Sequence, residues 1–345
     1  MRFNTVTIKD IAKALGLSTS TVSRALRGGY EISEETKKIV TEYAEKINYR
    51  PNPIALSLKE RRSYSIGIVV CEIANNFFSQ AINGMESVAY TAGYNVTITQ
   101  SHERFDREVM NVEHLASRSV DGLLISLSSE SADVSYLKEL HEKGLPIVLF
   151  DRITSEIDTH KVIADNFKGA YDATDYLIKL GHKRIAHFTS SAHLSVTGER
   201  LEGYKAALID NNIPFDEKYV KFCGHGGINQ EEIDEATNEV LALDQRPDSI
   251  FIAQDKLSTG CLHAIKKLAP DYFSEIKIAG FTNSNVVDLF NPPITAVRQP
   301  AFEMGQAAMQ LLIELIESKK PVTEFQTRIL QTELIVNSLG NSNGV

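Results

Sequence analysis

The residues best placed to do chemistry lie near the start of the chain, in TIKDIAKALGLSTSTVSRAL (7–26). Ser20, Ser23, Arg24 and Arg27 recur at i, i+3, i+4 and i+7, so on a helix they share one outward face. A face of small hydroxyls and guanidinium groups fits the DNA major groove, where arginine binds guanine O6 and N7 through two parallel hydrogen bonds. Catalytic patterns are missing: the sequence has no GxxxxGK[ST] phosphate loop, no GxSxG elbow and no HExxH. CGHGGIN (223–229) is glycine-rich but lacks the spacing and the lysine of a phosphate loop. The nine histidines form no zinc-type cluster, and Cys71, Cys223 and Cys261 are too scattered for metal or redox work. The expected chemistry is therefore recognition, with no enzyme activity, no metal and no cofactor.

The elements that must hold this face can be read around it. Ile8, Ile11, Ala12 and Leu15 form the apolar stripe of a first helix, with Thr7 at its N-cap and Gly16 at its left-handed exit. Ser18 is placed to cap a second helix whose buried side is Val22, Ala25 and Leu26. Ser33 starts a third, with acids in its first turn where the helix dipole favours them, and Val40, Tyr43, Ala44 and Ile47 as its stripe. Periodicity alone fits a helix-turn-helix, and it also fits an amphipathic hairpin on the surface of a bundle. Charge separates the head from the rest. Residues 1–62 hold twelve Lys/Arg against seven Asp/Glu, net +5, while the remainder carries −14 of the overall −9. A basic reading head on an acidic body is the pattern of a nucleic-acid binder.

Next comes NYRPNPIALSLKERR (48–62), in which Asn52 and Pro53 read as an N-cap and first helical residue. The segment is too short to persist as a free helix and fits a plain linker equally. From Ser63 onward, apolar strand-like runs alternate with helical patterns: SIGIVV (65–70), YNVTIT (94–99), GLLISL (122–127), PIVLF (146–150), then RIAHF (184–188), YVKF (219–222), SIFIA (249–253) and IKIAGF (276–281). Two sets of about four units imply two parallel sheets, each with helices on both faces, and a cleft at the strand C-termini. No run of about 18 apolar residues is present to span a membrane, and MRFNTVTIKD has no apolar signal core. A cytoplasmic protein is expected.

TIKDIAKALGLSTSTVSRAL closely resembles the opening of the lactose-repressor (LacI/GalR) family of bacterial transcription regulators, and the resemblance continues through ISEETKKIVTEYAEKINYRPNPIALSLK. It extends over essentially all of residues 5–337. It implies an all-α helix-turn-helix head (5–50) and a hinge helix with linker (51–62), joined to a two-lobed α/β core resembling periplasmic binding proteins. The first lobe is expected at 63–163 plus 294–322, the second at 164–293 plus 323–340, with crossings near Ala164, Pro292 and Thr323. NSLGNSNGV at the end offers no leucine heptad, so a homodimer is expected on a pseudo-palindromic double-stranded operator. Thr19, Ser20 and Arg24 are the expected base contacts; Thr7, Thr21, Tyr49 and Asn52 the phosphate contacts. Leu58 matches the hinge leucine that wedges into the minor groove, and Ala55 on the same segment joins the DNA-contacting set. Leu56 stands where many members carry arginine.

The same resemblance places an effector between the lobes, most commonly a sugar, with a purine or a partner protein as alternatives. In NNFF, Phe77 and Phe78 occupy the aromatic pair of the family's NPFF, although by themselves two adjacent phenylalanines are more often core than ligand floor. LFDR presents Asp151 and Arg152, either as ligand groups or as a salt bridge at the lobe interface. TGERLEGYKAAL matches the family's RLxGY, making Arg200 a cleft donor, and AQDKLSTGCLHAI makes Asp255 the opposing acceptor. Ser195, His225 and Gln299 align with positions that vary with ligand identity. GFTN places Thr282 where the family usually has aspartate.

Overall fold

The computed structural model describes residues 6–49, 62–289 and 292–336. The hinge residues Asn52, Ala55 and Leu58 lie outside them. Contacts divide the chain into a head, Met1–Ser63, and a core, Tyr64–Val345.

In the head, α1 (Ile8–Leu15) begins where Thr7, in extended conformation, donates from both its backbone N and its Oγ1 to Asp10 Oδ2 at 2.8 and 2.7 Å. Gly16 takes φ +66 and ends the helix. α2 (Thr19–Ala25) is capped by Ser18, whose Oγ accepts from Thr21 N at 3.0 Å. α3 (Glu34–Lys46) is capped by Ser33 in the same way. Each helix is too short to be stable alone. Ile11, Ala12, Val22, Ala25, Val40 and Ala44 bury one another in a single core, and Leu26, Tyr43, Ile47 and Tyr49 pack around it.

The core contains two six-stranded sheets. The first lobe runs β1 (Ser65–Val70), α4 (Asn76–Thr91), β2 (Asn95–Gln100), α5 (Phe105–Ser117), β3 (Gly122–Ile125), α6 (Ser135–Glu142), β4 (Ile147–Phe150) and β5 (Lys161–Ala164). The second continues with α7 (Asn166–Lys179), β6 (Ile185–Thr189), α8 (Ser195–Asp210), β7 (Val220–Phe222), α9 (Gln230–Leu241), β8 (Ser249–Ile252), α10 (Asp255–Leu268), α11 (Pro270–Phe273), β9 (Lys277–Phe281) and β10 (Ile294–Arg298). Then come α12 (Ala301–Glu317), β11 (Thr327–Leu330) and β12 (Glu333–Ile335). The first sheet has the order β11-β5-β4-β3-β1-β2, all parallel; the second has β12-β10-β9-β8-β6-β7, with β12 alone antiparallel. Central strands β3, β4 and β8 are buried along their whole length, which is why they read as unbroken apolar runs. α4 and α12 lie backbone to backbone on the first sheet: a side chain at Gly84 would meet the Phe302 carbonyl at 2.0 Å, and one at Gly305 the Ala81 carbonyl at 2.0 Å.

The two later crossings differ from the sequence expectation. Ile294–Arg298 pairs in parallel with β9, so the chain stays in the second lobe past Pro292 and leaves it only after Arg298. Thr327–Leu330 pairs with β5, so the return falls after Leu330, not near Thr323. Both runs are short and lie beyond the two regular strand sets, and ladder hydrogen bonds to a neighbouring strand decide their lobe.

His187 on β6 is buried and stacks on both Tyr204 and Phe251, with ring centroids at 4.9 and 4.8 Å, and those two rings also stack on each other. Burial pushes its imidazole down to about 3. The unfolded chain takes up this proton near pH 6.5 and the folded chain does not until about 3, so the contribution to stability is lost progressively as pH falls from 6.5. At pH 4.5 the loss is about 3 kcal/mol. Denaturant unfolding at pH 7 and 4.5 checks this: His187→Phe should flatten the difference between the two, and an unchanged difference would assign acid sensitivity to other groups.

Candidate functional site

The C-terminal ends of both sheets face each other across one cavity of about 40 Å³. That is room for about three waters. On the first-lobe side, Asn75 caps α4 by accepting from Phe77 N and Phe78 N at 2.9 and 3.4 Å, which brings both rings to the cavity edge. The rings meet edge to face, with centroids 5.2 Å apart, and Phe78 also packs on Phe150. They are therefore core and cavity wall at once.

Asp151 and Arg152 follow β4. Arg152 makes a bidentate pair with Glu103, at 2.6 and 2.9 Å, and also donates to the Leu127 carbonyl at 3.3 Å. Burial is the largest influence on Glu103 and opposes its ionisation, but the Arg152 charge together with hydrogen bonds from Arg152 and Ser129 outweighs it and holds the carboxyl below its ordinary range. Asp151 lies further from Arg152, at 3.9 Å, and accepts from Gln299 Nε2 at 3.4 Å; burial pushes its carboxyl up. Of the two alternatives for this pair, Arg152 takes the salt-bridge role, with Glu103 as its partner. Asp151 keeps its acceptor at the cavity.

On the second-lobe side, Arg200 projects from α8. Its Nε and Nη2 donate to Asn166 Oδ1 at 2.9 and 2.8 Å, Nη1 donates to the Ala253 carbonyl, and the guanidinium lies 3.8 Å over the Phe281 ring. Burial lowers it to about 10, which leaves it a cation at neutral pH. Asp255 starts α10 and accepts from Thr282 Oγ1 at 2.5 Å, while burial pushes its carboxyl up. Thr282 thus supplies a donor to Asp255, which an aspartate at 282 would replace with a second negative charge.

The cavity gathers Phe77, Phe78, Asp151, Arg152, Arg200, Asp255 and Gln299. Two expected residues are not brought to it. Ser195 Oγ accepts from Ile153 N at 3.2 Å, making a contact between lobes, and Val196 and Thr197 line the cavity in its place. The His225 side chain is 59% exposed and sits 3.3 Å from Glu232. Sequence reasoning missed Thr189, Ser190, Ala253 and Gln254, which end or directly follow β6 and β8. The strand-end rule for parallel sheets could have found them. Three side-chain atoms in this wall are buried with no partner among the described residues: Ser190 Oγ, Thr197 Oγ1 and Gln254 Oε1. Two further contacts cross the cleft: Lys256 Nζ donates to Glu72 Oε2, and the Gln80 side-chain amide exchanges hydrogen bonds with Asn283.

In the head, Thr19, Ser20 and Arg24 are exposed on α2. Ser20 Oγ and Thr21 Oγ1 both pair with Ser18 Oγ, and the Thr7 hydroxyl pairs with Asp10. Tyr49 is half-buried against the head core, and desolvation pushes its phenol up. Among the described residues no group of His, Cys, Asp or Glu could hold a metal ion, and no helix is long and apolar enough to cross a membrane.

The roles of Arg152 and Thr197 separate by stability. Breaking the buried pair with Arg152→Met should cost about 3–5 kcal/mol. Thr197→Val removes a hydroxyl that has no partner and should cost little. Denaturant unfolding of the two variants measures this, and equal losses would contradict it.

Comparison with known proteins agrees with both halves of the chain. Residues 7–52 match the family described as "Bacterial regulatory proteins, lacI family", and residues 66–321 match "Periplasmic binding protein domain". The HTH-type transcriptional regulator RegA of Clostridium acetobutylicum is 34% identical over 91% of this chain and 93% of its own. Among solved structures, a complex of the transcriptional regulator CelR with cellobiose superposes with TM-score 0.70 and 26% identity, over 96% of this chain and 98% of that one. A LacI family transcriptional regulator from Enterococcus faecium with bound ribose gives TM-score 0.65 and 26% identity, over 78% of this chain and 96% of that one. A helix-turn-helix head, two facing parallel-sheet lobes and these matches together place the chain in the lacI family of bacterial regulatory proteins, as a DNA-binding transcriptional regulator controlled by a small molecule.

Proposed function

We propose that this regulator is a homodimeric repressor whose effector is a neutral sugar or sugar derivative bound between the lobes, and that it acts by binding and not by catalysis. The observation that carries this is the cavity wall itself. Ser190 Oγ, Thr197 Oγ1 and Gln254 Oε1 are buried without partners, and leaving buried polar atoms unpaired is costly unless a ligand or water satisfies them. Arg200 adds donors, and Asp151 and Asp255 add acceptors, on either side of the same space. Alternating donors and acceptors at close quarters suit several hydroxyls on one small ring. Phe77 and Phe78 offer apolar edges to C–H groups. A stacked base would need an open ring face, and these two rings meet each other and are buried. The relatives solved with cellobiose and with ribose support the same ligand class.

In the head, Thr19, Ser20 and Arg24 are assigned to base edges, and Thr7, Thr21 and Tyr49 to phosphates, which fix register without carrying sequence information. The cavity lies between the lobes, so ligand entry and release would involve their relative movement. Both lobes hold ligand groups, so occupancy changes their relative angle and, through the segments leading to the head, the fit of two heads to two half-sites. A cytoplasmic location follows from this role.

The test titrates the full chain onto DNA from upstream of its own gene at one fixed salt concentration. Ribose, cellobiose, adenine and guanine are added in turn. A sugar should change the affinity, and Arg200→Ala should abolish that response while still binding the DNA. A purine that strengthens binding would replace the sugar as effector. If no ligand acts, control passes to a partner protein.

A further inference from the structure

Arg24 is paired on the outward face of α2. Its Nη1 donates to Glu31 Oε2 at 2.7 Å, seven residues further along the chain. A tight reversal brings the two together. α2 ends at Ala25, Gly28 takes φ +70, and Gly29 N donates back to the Arg24 carbonyl at 2.9 Å. A side-chain carbon at Gly29 would meet that same carbonyl at 3.2 Å, so the returning chain packs against the peptide that carries the guanidinium. Glu31 is thereby set beside Arg24 just before Ser33 starts α3. Arg27 is held differently: it folds onto its own helix, with Nε on the Ser23 carbonyl at 3.0 Å and Nη2 on Ser23 Oγ at 2.9 Å. Of the two outward arginines, Arg24 is the one that pairs, among the described residues, with an acid from outside the helix.

We propose that Glu31 is a positioning residue for base readout, holding the Arg24 guanidinium where it meets a guanine edge instead of the nearest phosphate. This rests on the assignment of Arg24 to base contact. A phosphate accepts an arginine in most of its rotamers, whereas the bidentate guanine contact accepts few, so restricting the rotamers favours discrimination. The carboxylate also acts with the opposite sign on affinity. A negative charge close to the duplex weakens binding to every sequence alike. Arg24 and Glu31 are 55% and 48% exposed, so their pair adds little to the stability of the head, and its effect is on order and selectivity. Glu31 thus lowers overall affinity and raises specificity.

The test is selection from a randomised duplex library with the full chain, as wild type, Glu31→Gln, Arg24→Ala and the double variant, at one salt concentration. Titrations with the selected duplex and a scrambled one follow. Glu31→Gln should bind the scrambled duplex more tightly while the ratio of selected to scrambled affinity falls about tenfold. Base preference should weaken at the same position of each half-site that Arg24→Ala erases, and in the Arg24→Ala background Glu31→Gln should leave base preference unchanged while raising affinity for both duplexes alike. An unchanged ratio with both affinities raised would overturn the proposal, leaving Glu31 as a charge only. If Arg24→Ala weakens all duplexes equally, the base-contact assignment of Arg24 itself fails, and the role of Glu31 goes with it. Thermal unfolding of Glu31→Gln should match wild type, since the pair lies on the surface.

Discussion

The hydrogen bonds between Arg200 and Asn166 join the cavity to the frame of the core. Arg200 lines the cavity, while Asn166 is the first residue of α7, immediately after the chain first passes between lobes. The preceding residue, Asp165, donates its backbone N to the Leu330 carbonyl at 2.8 Å, which ties the first crossing to the third. The guanidinium is buried over Phe281, and its donors go to neutral carbonyl oxygens, Asn166 Oδ1 and Ala253 O. A buried cation held this way is sensitive to any new acceptor in the cavity, because the interior screens weakly. The cavity wall and the geometry of the crossings therefore meet at one side chain.

The second constraint is that closure depends on polar contacts from both lobes. Asp151 and Gln299, Gln80 and Asn283, Glu72 and Lys256, and Ile153 and Ser195 each link groups on the two sides of the cleft or on the segments between them. Individual hydrogen bonds contribute modestly, so contacts of this kind fix the relation of the lobes without locking it. A ligand that supplies several more hydrogen bonds in the closed form can shift that relation by its differential affinity. The Arg152–Glu103 pair is different in kind: both partners belong to the first lobe, and their buried ion pair stiffens that lobe's wall of the cavity, where Glu103 packs against Gly226 of the second.

Much of this was legible in the sequence for identifiable reasons. The head could be read because its caps, Thr7, Ser18 and Ser33, and its stripes are local features, and the regular strands because the central ones, such as β3, β4 and β8, are buried along their length and read as apolar runs. β10 and β11 lie outside the two regular strand sets, and only their ladder pairing with β9 and β5 shows which sheet each joins, so the later crossings were set too early along the chain. Within the cavity, motif resemblance located Arg200 and Asp255, but the helical phase at the start of α8 put Thr197 inward and Ser195 toward Ile153. His225 failed because its loop turns it to Glu232 and solvent. The partner of Arg152, forty-nine residues away in sequence, carries no local signal at all.

Control of DNA binding by the cavity requires reciprocity, since two sites coupled through one protein must shift each other's affinity by the same factor. The most direct test measures the dissociation constant of the operator with and without saturating sugar, and of the sugar with and without saturating operator, in the same buffer. Equal factors, different from one, are the predicted result. A sugar that binds the core while leaving operator affinity unchanged would contradict the account.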